Sequence, residues 1–407
     1  MAIHVIEEAN RCLQCKNPRC RMGCPIHTNI PEMIRLLKEN EMMAAATMLF
    51  ENNPLSVICS LVCDHAKQCE GHCVRGIKGD AVHISAIENY ISDSCFDRIK
   101  IAQAESNGKK VAVIGSGPAG MTVALLLASR GYKVTIFEEH DKIGGIMRYG
   151  IPDFRLPHKI LDRYYERMLD MGILIRPNFA IGQSTSIEDL FSDGYKAVFI
   201  GTGAWMPRRL HIPGETFGHV HFAINYLNHP ESVKLGSDVA IIGAGNSAMD
   251  VARTAIRNGA RNVTVYLRRG EATASLDEFE YAKLDGATFQ YWTAPLEIKD
   301  DGLIVCDTEM DEEGHVVQKP ETARFVKADN VIIAVSQQPQ RRLVNRDKQL
   351  TLNEKGNLQT NEGGETTMKG VFASGDVVTG VKTVVDAVNI SKKIAEDIDA
   401  YIQALPE

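Results

Sequence analysis

Twice in this chain a short apolar run meets a glycine-rich turn that opens a helix-forming stretch, and that recurrence limits the fold more than any other feature. The first copy is Lys110-Val111-Ala112-Val113-Ile114, then Gly115-x-Gly117-x-x-Gly120 with Pro118 and Ala119 inside the turn, then a second strand at Val134–Phe137. The other copy is Val239–Ile242, then Gly243-x-Gly245-x-x-Ala248 with Asn246 and Ser247 inside, then Val263–Tyr266. In such a unit the first small residue makes a tight turn and the second lets backbone approach a pyrophosphate. The third lets helix and strand pack closely, while the helix N-terminus offers free N–H groups to the anion. An isolated glycine pattern is weak; the strand before and the helix after each copy raise it above an ordinary turn. Two such βαβ units, about 128 residues apart, predict two bound dinucleotides in an α/β architecture.

The second strands differ in their last residues, and the difference is chemical. The first ends at Glu138, a carboxylate placed to accept ribose hydroxyls. The second ends in Tyr266-Leu267-Arg268-Arg269. A carboxylate there would repel a 2′-phosphate, whereas guanidinium groups offer it forked donors. The second dinucleotide is therefore expected to be NADPH; a solvated charge pair on a loop is the plainer alternative. FAD is the expected occupant of the first unit.

Of ten cysteines, eight precede residue 74: Cys12, Cys15, Cys20, Cys24, Cys59, Cys63, Cys69 and Cys73. A disulfide framework would call for an export signal and a small domain, and Met1–Glu8 lacks the basic-then-apolar layout of a leader. Four thiolates suit a cubane cluster, and a cysteine before proline, as in Cys24-Pro25, commonly serves the other cluster of a pair. Zinc is the rival, because C-x2-C is also a zinc knuckle; unlike zinc, iron-sulfur can pass electrons to a flavin module. His65 and His72 lie among these cysteines and are expected to make ordinary hydrogen bonds, while Cys95 and Cys306 read as buried apolar residues.

Helices are expected from Pro31, capped by Asn29, and over about Glu41–Glu51, folding the two cysteine groups together. A polar linker spans 104–110, Asp311–Gly314 reads as a turn, and a last helix runs from Thr383. A net charge of -7 argues against a nucleic-acid surface. The apolar stretch from Val111 to Ala128 is interrupted by glycine and proline, so it reads as strand, turn and helix and no membrane span is expected. A cytoplasmic location is expected.

At this point the chain resembles a known family: the glutamate synthase small subunit, the N-terminal half of dihydropyrimidine dehydrogenase, and the large subunit of the bifurcating NADH-dependent ferredoxin:NADP oxidoreductase. The residues that carry the resemblance are E-A-N-R-C-L-Q-C, V-I-G-S-G-P-A-G, the Gly144–Pro157 stretch G-G-I-M-R-Y-G-I-P-D-F-R-L-P, G-A-G-N-S-A-M-D and V-F-A-S-G-D. The resemblance implies an α-helical bis-iron-sulfur domain followed by two Rossmann-like α/β domains, an FAD domain with an inserted NADPH domain, glutathione-reductase-like. The expected boundaries are 1–107 for the iron-sulfur domain, 108–235 with 341–407 for FAD, and 236–340 for NADPH.

Residue by residue, the resemblance places Gly144, Gly145, Arg148, Ile151, Gly375, Asp376, Thr383 and Val384 around FAD. It assigns one 4Fe-4S cluster to Cys12, Cys15, Cys20 and Cys73, and the other to Cys24, Cys63, Cys69 and Glu88, with Cys59 a bystander. Counting alone would use all eight cysteines and leave Glu88 a solvated carboxylate. Two departures stand out. Ser336 occupies a position that is usually glycine in the family, and the segment from Arg269 to Glu280 lacks the usual methionine-proline.

The expected function is an NADPH-linked electron-transfer subunit: hydride from NADPH to FAD, then single electrons through two clusters to a large partner subunit in a hetero-oligomer. By resemblance that partner is the glutamate synthase large subunit. A dihydropyrimidine dehydrogenase subunit and a bifurcating transhydrogenase subunit are alternatives within the class. A nucleotide- and zinc-binding scaffold, or a self-contained reductase, are alternatives outside it. No C-x-x-C follows the first glycine motif, so a dithiol reductase is excluded, and hydride transfer requires no side chain to be named catalytic.

Overall fold

A computed structural model describes residues 4–406; Met1–Ile3, at the start of the expected iron-sulfur domain, and Glu407 lie outside the described residues. The chain divides into two compact units. The larger comprises Met1–Arg148, Asp153–Ala204 and Gln338–Glu407; the smaller comprises Tyr149–Pro152 and Trp205–Gln337. Residues 205–235, placed with the FAD domain on sequence, thus pack with the smaller unit.

The larger unit begins with helices. After a short helix at Val5–Asn10 come α1 (Ile30–Lys38), α2 (Met42–Asn52), α3 (Ser56–Val62) and α4 (Ile84–Cys95). Ile30, Met33, Ile34 and Leu37 of α1 are buried, as their three- and four-residue spacing requires. Asn29 occupies the N-cap position as expected, but its side chain makes no capping bond; the proline in the first turn presets the helical φ and lacks one of the N–H groups that would need a partner. Helix α4 packs on α2 and α3 and buries Ile84, Ile87 and Ile91 together with Glu88.

A parallel sheet follows, built from β1 (Lys110–Ile114), β2 (Lys133–Phe137), β3 (Leu174–Arg176) and β4 (Tyr195–Ile200), joined by the late strand Val371–Ala373. The order is Val371–Ala373, β4, β1, β2, β3, so the chain reverses direction of travel beside β1. Only Lys110 of β1 is exposed; the other four residues are buried, the continuous apolar pattern of a strand covered on both faces. Helix α5 (Pro118–Ser129) leaves the glycine turn and is buried almost throughout, with the last helix packed along it. Helix α6 (His158–Asp170) ties the sheet to the cysteine-bearing helices. Its Arg163 pairs with Asp93 and, at 3.0 Å, with Asp97, and Tyr164 lies 4.5 Å from the Phe96 ring.

The smaller unit repeats the plan. Its parallel sheet is ordered β5 (Val220–Phe222), Asn330–Ile333, β6 (Asp238–Ile242), β7 (Asn262–Tyr266), β8 (Thr288–Gln290). Helix α7 (Asn246–Arg257) follows the glycine turn, and α8 (Leu276–Asp285) packs on α7. An antiparallel three-stranded sheet, β9 (Thr293–Lys299), β10 (Gly302–Met310) and β11 (Val316–Lys327), follows β8. The expected turn at Asp311–Gly314 joins β10 to β11, closed by the Gly314 N–H donating to Asp311. Strand β12 is Asn330–Ile333, β13 is Val371–Ala373 and the last helix, α9, is Val384–Gln403, with Thr383 at its N-cap.

Candidate nucleotide and iron-sulfur sites

The first glycine turn leaves the C-terminal end of β1 beside the switch in strand order, where ligands of open α/β sheets bind. Gly115 has φ +94°, and a Cβ there would stand 2.7 Å from the Gly201 carbonyl oxygen. At Gly120 a Cβ would lie 1.9 Å from the Gly115 carbonyl oxygen. Gly117 faces open space, as close backbone approach by a ligand requires. Pro118 begins α5 and Ala119 is buried. Gly120→Ala must push α5 off β1 and is expected to cost about 3 kcal/mol by analogy with other overpacked cores. A denaturation midpoint equal to that of the natural protein would refute this.

Glu138 is buried, and its carboxylate is taken up by the turn itself. One oxygen accepts the Ser116 N–H at 2.8 Å and the Ser116 hydroxyl; the other accepts the His140 N–H at 2.8 Å and meets its Nδ1 at 2.9 Å. Burial alone would raise this carboxyl, but the bonds from His140 and Ser116 outweigh it and hold the group below the usual carboxylate range. These four contacts occupy the four lone-pair sites of the carboxylate, so a ribose hydroxyl would be accepted in exchange for a movable one of them, the Ser116 hydroxyl or the His140 ring.

Gly144 donates its N–H to the Ser116 carbonyl (3.1 Å) and hydroxyl (3.2 Å), and Gly145 lies against Gly117. Arg148 is buried, and its guanidinium binds the Ile143 carbonyl at 2.8 Å and Asp162 at 2.6 Å, so its contacts hold this loop in shape. Ile151 is half-buried and belongs to the short Tyr149–Pro152 stretch that packs with the smaller unit.

From the other end of the chain Gly375 approaches Ala119, where a Cβ would stand 3.1 Å from the alanine Cβ. Burial pushes Asp376, the next residue, up to about 6. Thr383 and Asp386 form a reciprocal capping box that fixes the start of α9, with Val384 buried behind it. The structure therefore gathers Gly115, Gly117, Pro118, Ala119, Gly120, Glu138, Gly144, Gly145, Gly375 and Asp376 at one end of the larger sheet.

In the smaller unit Gly243 lies 2.4 Å, measured from an added Cβ, from the Ala334 carbonyl oxygen, and Gly245 faces open space with Thr273 the nearest group. Asn246 accepts the Ser275 N–H at 2.8 Å, holding the 271–275 loop over the turn; Ser247 is half-buried and Ala248 fully buried. Arg268 and Arg269 follow β7 with exposed side chains and anchored carbonyls, which accept from the Thr308 hydroxyl (3.0 Å) and the Trp292 N–H (3.3 Å). Ser336 has φ +84°, the left-handed conformation that favours glycine.

The cysteines separate into two groups by contacts between distant segments. Arg11 reaches the Ala81 carbonyl (3.1 Å) and the Asp80 carbonyl, and Glu8 accepts the His83 N–H at 2.7 Å. These bonds carry the Cys12–Cys15 turn to Cys73. Cys12, Cys15, Cys20 and Cys73 rim one cavity, backed by Ile30, Ile34, Val82 and Ile84. Burial raises the Cys12 thiol and pushes Cys20 up to about 11, with the neighbouring thiols adding to the effect.

The second group is brought together by other contacts. The helix Arg19–Gly23 ends at Cys24, and a Cβ on Gly23 would stand 2.4 Å from the His72 ring, so this segment abuts the Cys69–Cys73 loop. His72 makes a hydrogen bond with the Gln68 carbonyl at 2.6 Å. A bond to Cys59, then burial and the nearness of Glu88 and Cys69, raises the Cys63 thiol well above its ordinary value. Cys69 is raised likewise, by burial and by Glu88, Glu70 and Cys24. Glu88 is buried, and burial pushes it up to about 7. Cys24, Cys63, Cys69 and Glu88 thus share one neighbourhood, which Cys59 also borders. Cys95 and Cys306 are buried elsewhere.

Thiols with raised pKa values bind metal by exchanging their protons for it. Among the described residues no three His, Cys, Asp or Glu side chains converge on one point as a single ion needs. Four thiols around a cavity are the wider arrangement that suits an iron-sulfur cube. Among the described residues no helix is long and apolar enough to cross a membrane.

Comparison with known proteins agrees with both halves of this geometry. Residues 2–99 match the family model described as dihydropyrimidine dehydrogenase domain II, 4Fe-4S cluster, and residues 109–390 match the pyridine nucleotide-disulphide oxidoreductase model. The chain is 33% identical to the glutamate synthase [NADPH] small chain of Escherichia coli, over 97% of this chain and 91% of that protein. It is 31% identical to a Salmonella typhi homologue of the NAD-dependent dihydropyrimidine dehydrogenase subunit PreT, covering 98% and 94%. Among solved structures, Mycobacterium tuberculosis FprA in complex with NADPH aligns at TM-score 0.62 and 20% identity, over 72% of this chain and 85% of that one, which supports the fold. The chain therefore belongs to the pyridine nucleotide-disulphide oxidoreductase family, in the group that includes the glutamate synthase small chains, and is an NAD(P)H-dependent oxidoreductase.

Proposed function

We propose that this chain is the NADPH-linked electron-transfer subunit of a glutamate synthase-type enzyme, passing reducing equivalents to a larger partner. The observation that carries the choice of NADPH is the Arg268–Arg269 pair, exposed directly after β7, where a carboxylate would repel a 2′-phosphate. The near end-to-end match with glutamate synthase [NADPH] small chains supports the choice of partner. In this reading Cys12, Cys15, Cys20 and Cys73 hold one 4Fe-4S cluster, and Cys24, Cys63, Cys69 and Glu88 hold the other. The turn from Gly115 to Gly120 cradles the FAD pyrophosphate at the head of α5, Glu138 takes its ribose, and Gly375–Asp376 closes the opposite side. The turn from Gly243 to Ala248 does the same for NADPH. When bound, the nicotinamide and flavin exchange a hydride and the iron-sulfur groups exchange single electrons.

The protein's contribution is placement. One compact unit holds both cysteine groups and the first glycine turn, and the Arg163 and Arg167 contacts fix α6 against the segment after α4. Anaerobic purification from the native cell, followed by glutamine-dependent glutamate synthesis with the co-purified large subunit, tests the reading. NADPH-driven synthesis is expected. A stoichiometric partner that reduces pyrimidines, or turnover that prefers NADH, would overturn it.

A further inference from the structure

Helix α9 connects the two halves of the larger unit. Its first turn, at Thr383–Val384, follows the Gly375–Asp376 turn, and Lys392 lies eight residues further, about 12 Å along the axis at helical rise. Lys392 is half-buried, and its ammonium donates to the Asn52 carbonyl oxygen and, at 2.9 Å, to Asn52 Oδ1. Asn52, the last residue of α2, donates from Nδ2 to Thr28 Oγ1 at 3.1 Å and to the Ile26 carbonyl at 3.3 Å. The Cys24 thiol donates to the same Thr28 oxygen at 3.5 Å. Thr28 is buried, so the path from the ammonium to the sulfur runs through protein. Burial works against the charge on Lys392, while nearby Glu396 and Cys24 favour it.

One-electron reduction of an iron-sulfur group adds one negative charge within its ligand shell, the electron coming here from reduced pyridine nucleotide. Its potential responds to net charge and to hydrogen bonds around the sulfurs. A cation held close by, in a partly desolvated position, is weakly screened by salt. We propose that Lys392 is an electrostatic tuning residue for the group held through Cys24: its ammonium favours the reduced state of that group and leaves the other group, held through Cys12, Cys15, Cys20 and Cys73, unaffected. The inference rests on the ligand assignment proposed above.

The test is a redox titration of the full chain, reconstituted with iron and sulfide and followed by the paramagnetic signals of the two reduced clusters. Lys392→Met, which keeps length and loses charge, is expected to lower the one-electron reduction constant of one cluster about tenfold, a 59 mV fall in its midpoint. Lys392→Arg is expected to keep the natural value. A Lys392→Met protein with a lower melting temperature but both midpoints unchanged would make Lys392 a structural staple and overturn the inference; equal shifts of both midpoints would also overturn it. The ligand assignment is checked separately by Cys24→Ser: if that protein keeps both natural signals, the assignment fails whatever Lys392 does.

Discussion

Glu88→Ala is expected to lose one of two clusters, so that iron in the anaerobically purified protein falls from about eight to about four atoms per chain. Cys59→Ser is expected to keep about eight. Both side chains are buried beside Cys63, so burial does not choose between them. The discriminating feature is the neighbourhood. Glu88 adjoins both Cys63 and Cys69, and Cys69 in turn adjoins Cys24, whereas the contact of Cys59 with this group is its bond to Cys63. A carboxylate is a harder donor than cubane iron usually takes. Yet burying Glu88 with no cation is costly enough to push it up to about 7, and a metal beside it would offset that cost. Reduced-state paramagnetic spectra distinguish the variants; loss of a cluster in Cys59→Ser with both retained in Glu88→Ala would restore the all-cysteine assignment.

The second large effect is on nucleotide choice. Replacing Arg268 and Arg269 together with alanine is expected to lower kcat/KM for NADPH a hundredfold or more, since each charge-assisted contact is worth roughly 1.5–3 kcal/mol. The value for NADH should change less than about threefold, because no 2′-phosphate is present to lose its partner. Both side chains are exposed and their carbonyls are anchored by Thr308 and Trp292, so truncation removes charge with little strain on β7. Equal losses for the two nucleotides would show that the pair holds the loop and does not read the phosphate.

Parts of this molecule were legible in the sequence for a clear reason. The glycine turns are local: a strand, three small residues and a helix follow one another within about twenty positions, and the close approach that requires Gly120 arises within that stretch, although the one that requires Gly115 comes from Gly201, far along the chain. The helix face Ile30, Met33, Ile34, Leu37 is likewise written in one repeat. The antiparallel sheet β9–β11 leaves no clear mark in the sequence. β11 is exposed over most of its length and carries no run of buried alternate residues, so the period-two signal is missing. Spacing alone did not pair Cys73 with Cys12, Cys15 and Cys20 either. That grouping depends on Arg11 and Glu8 reaching the 80–83 backbone, a contact across about seventy residues that no local pattern reports. At Ser336, where the resemblance leads one to expect glycine, serine holds the left-handed conformation, which costs a non-glycine residue on the order of 1 kcal/mol.

The order of strands in the larger sheet also has a consequence for how the protein is made. Strand β13, which pairs with β4, and helix α9, which covers α5, are translated after the whole of the smaller unit. The smaller unit is nearly continuous, so it can fold as soon as it leaves the ribosome. The larger one must hold an open sheet edge at β4 for about 170 residues of synthesis, on the order of ten to thirty seconds at about 5–20 residues per second. During that interval the cysteine helices are already complete, but Lys392 and the last wall of the flavin cradle do not yet exist. Iron loading can therefore precede flavin capture in the life of each molecule, and an exposed parallel edge in the meantime is where a chaperone would be needed most.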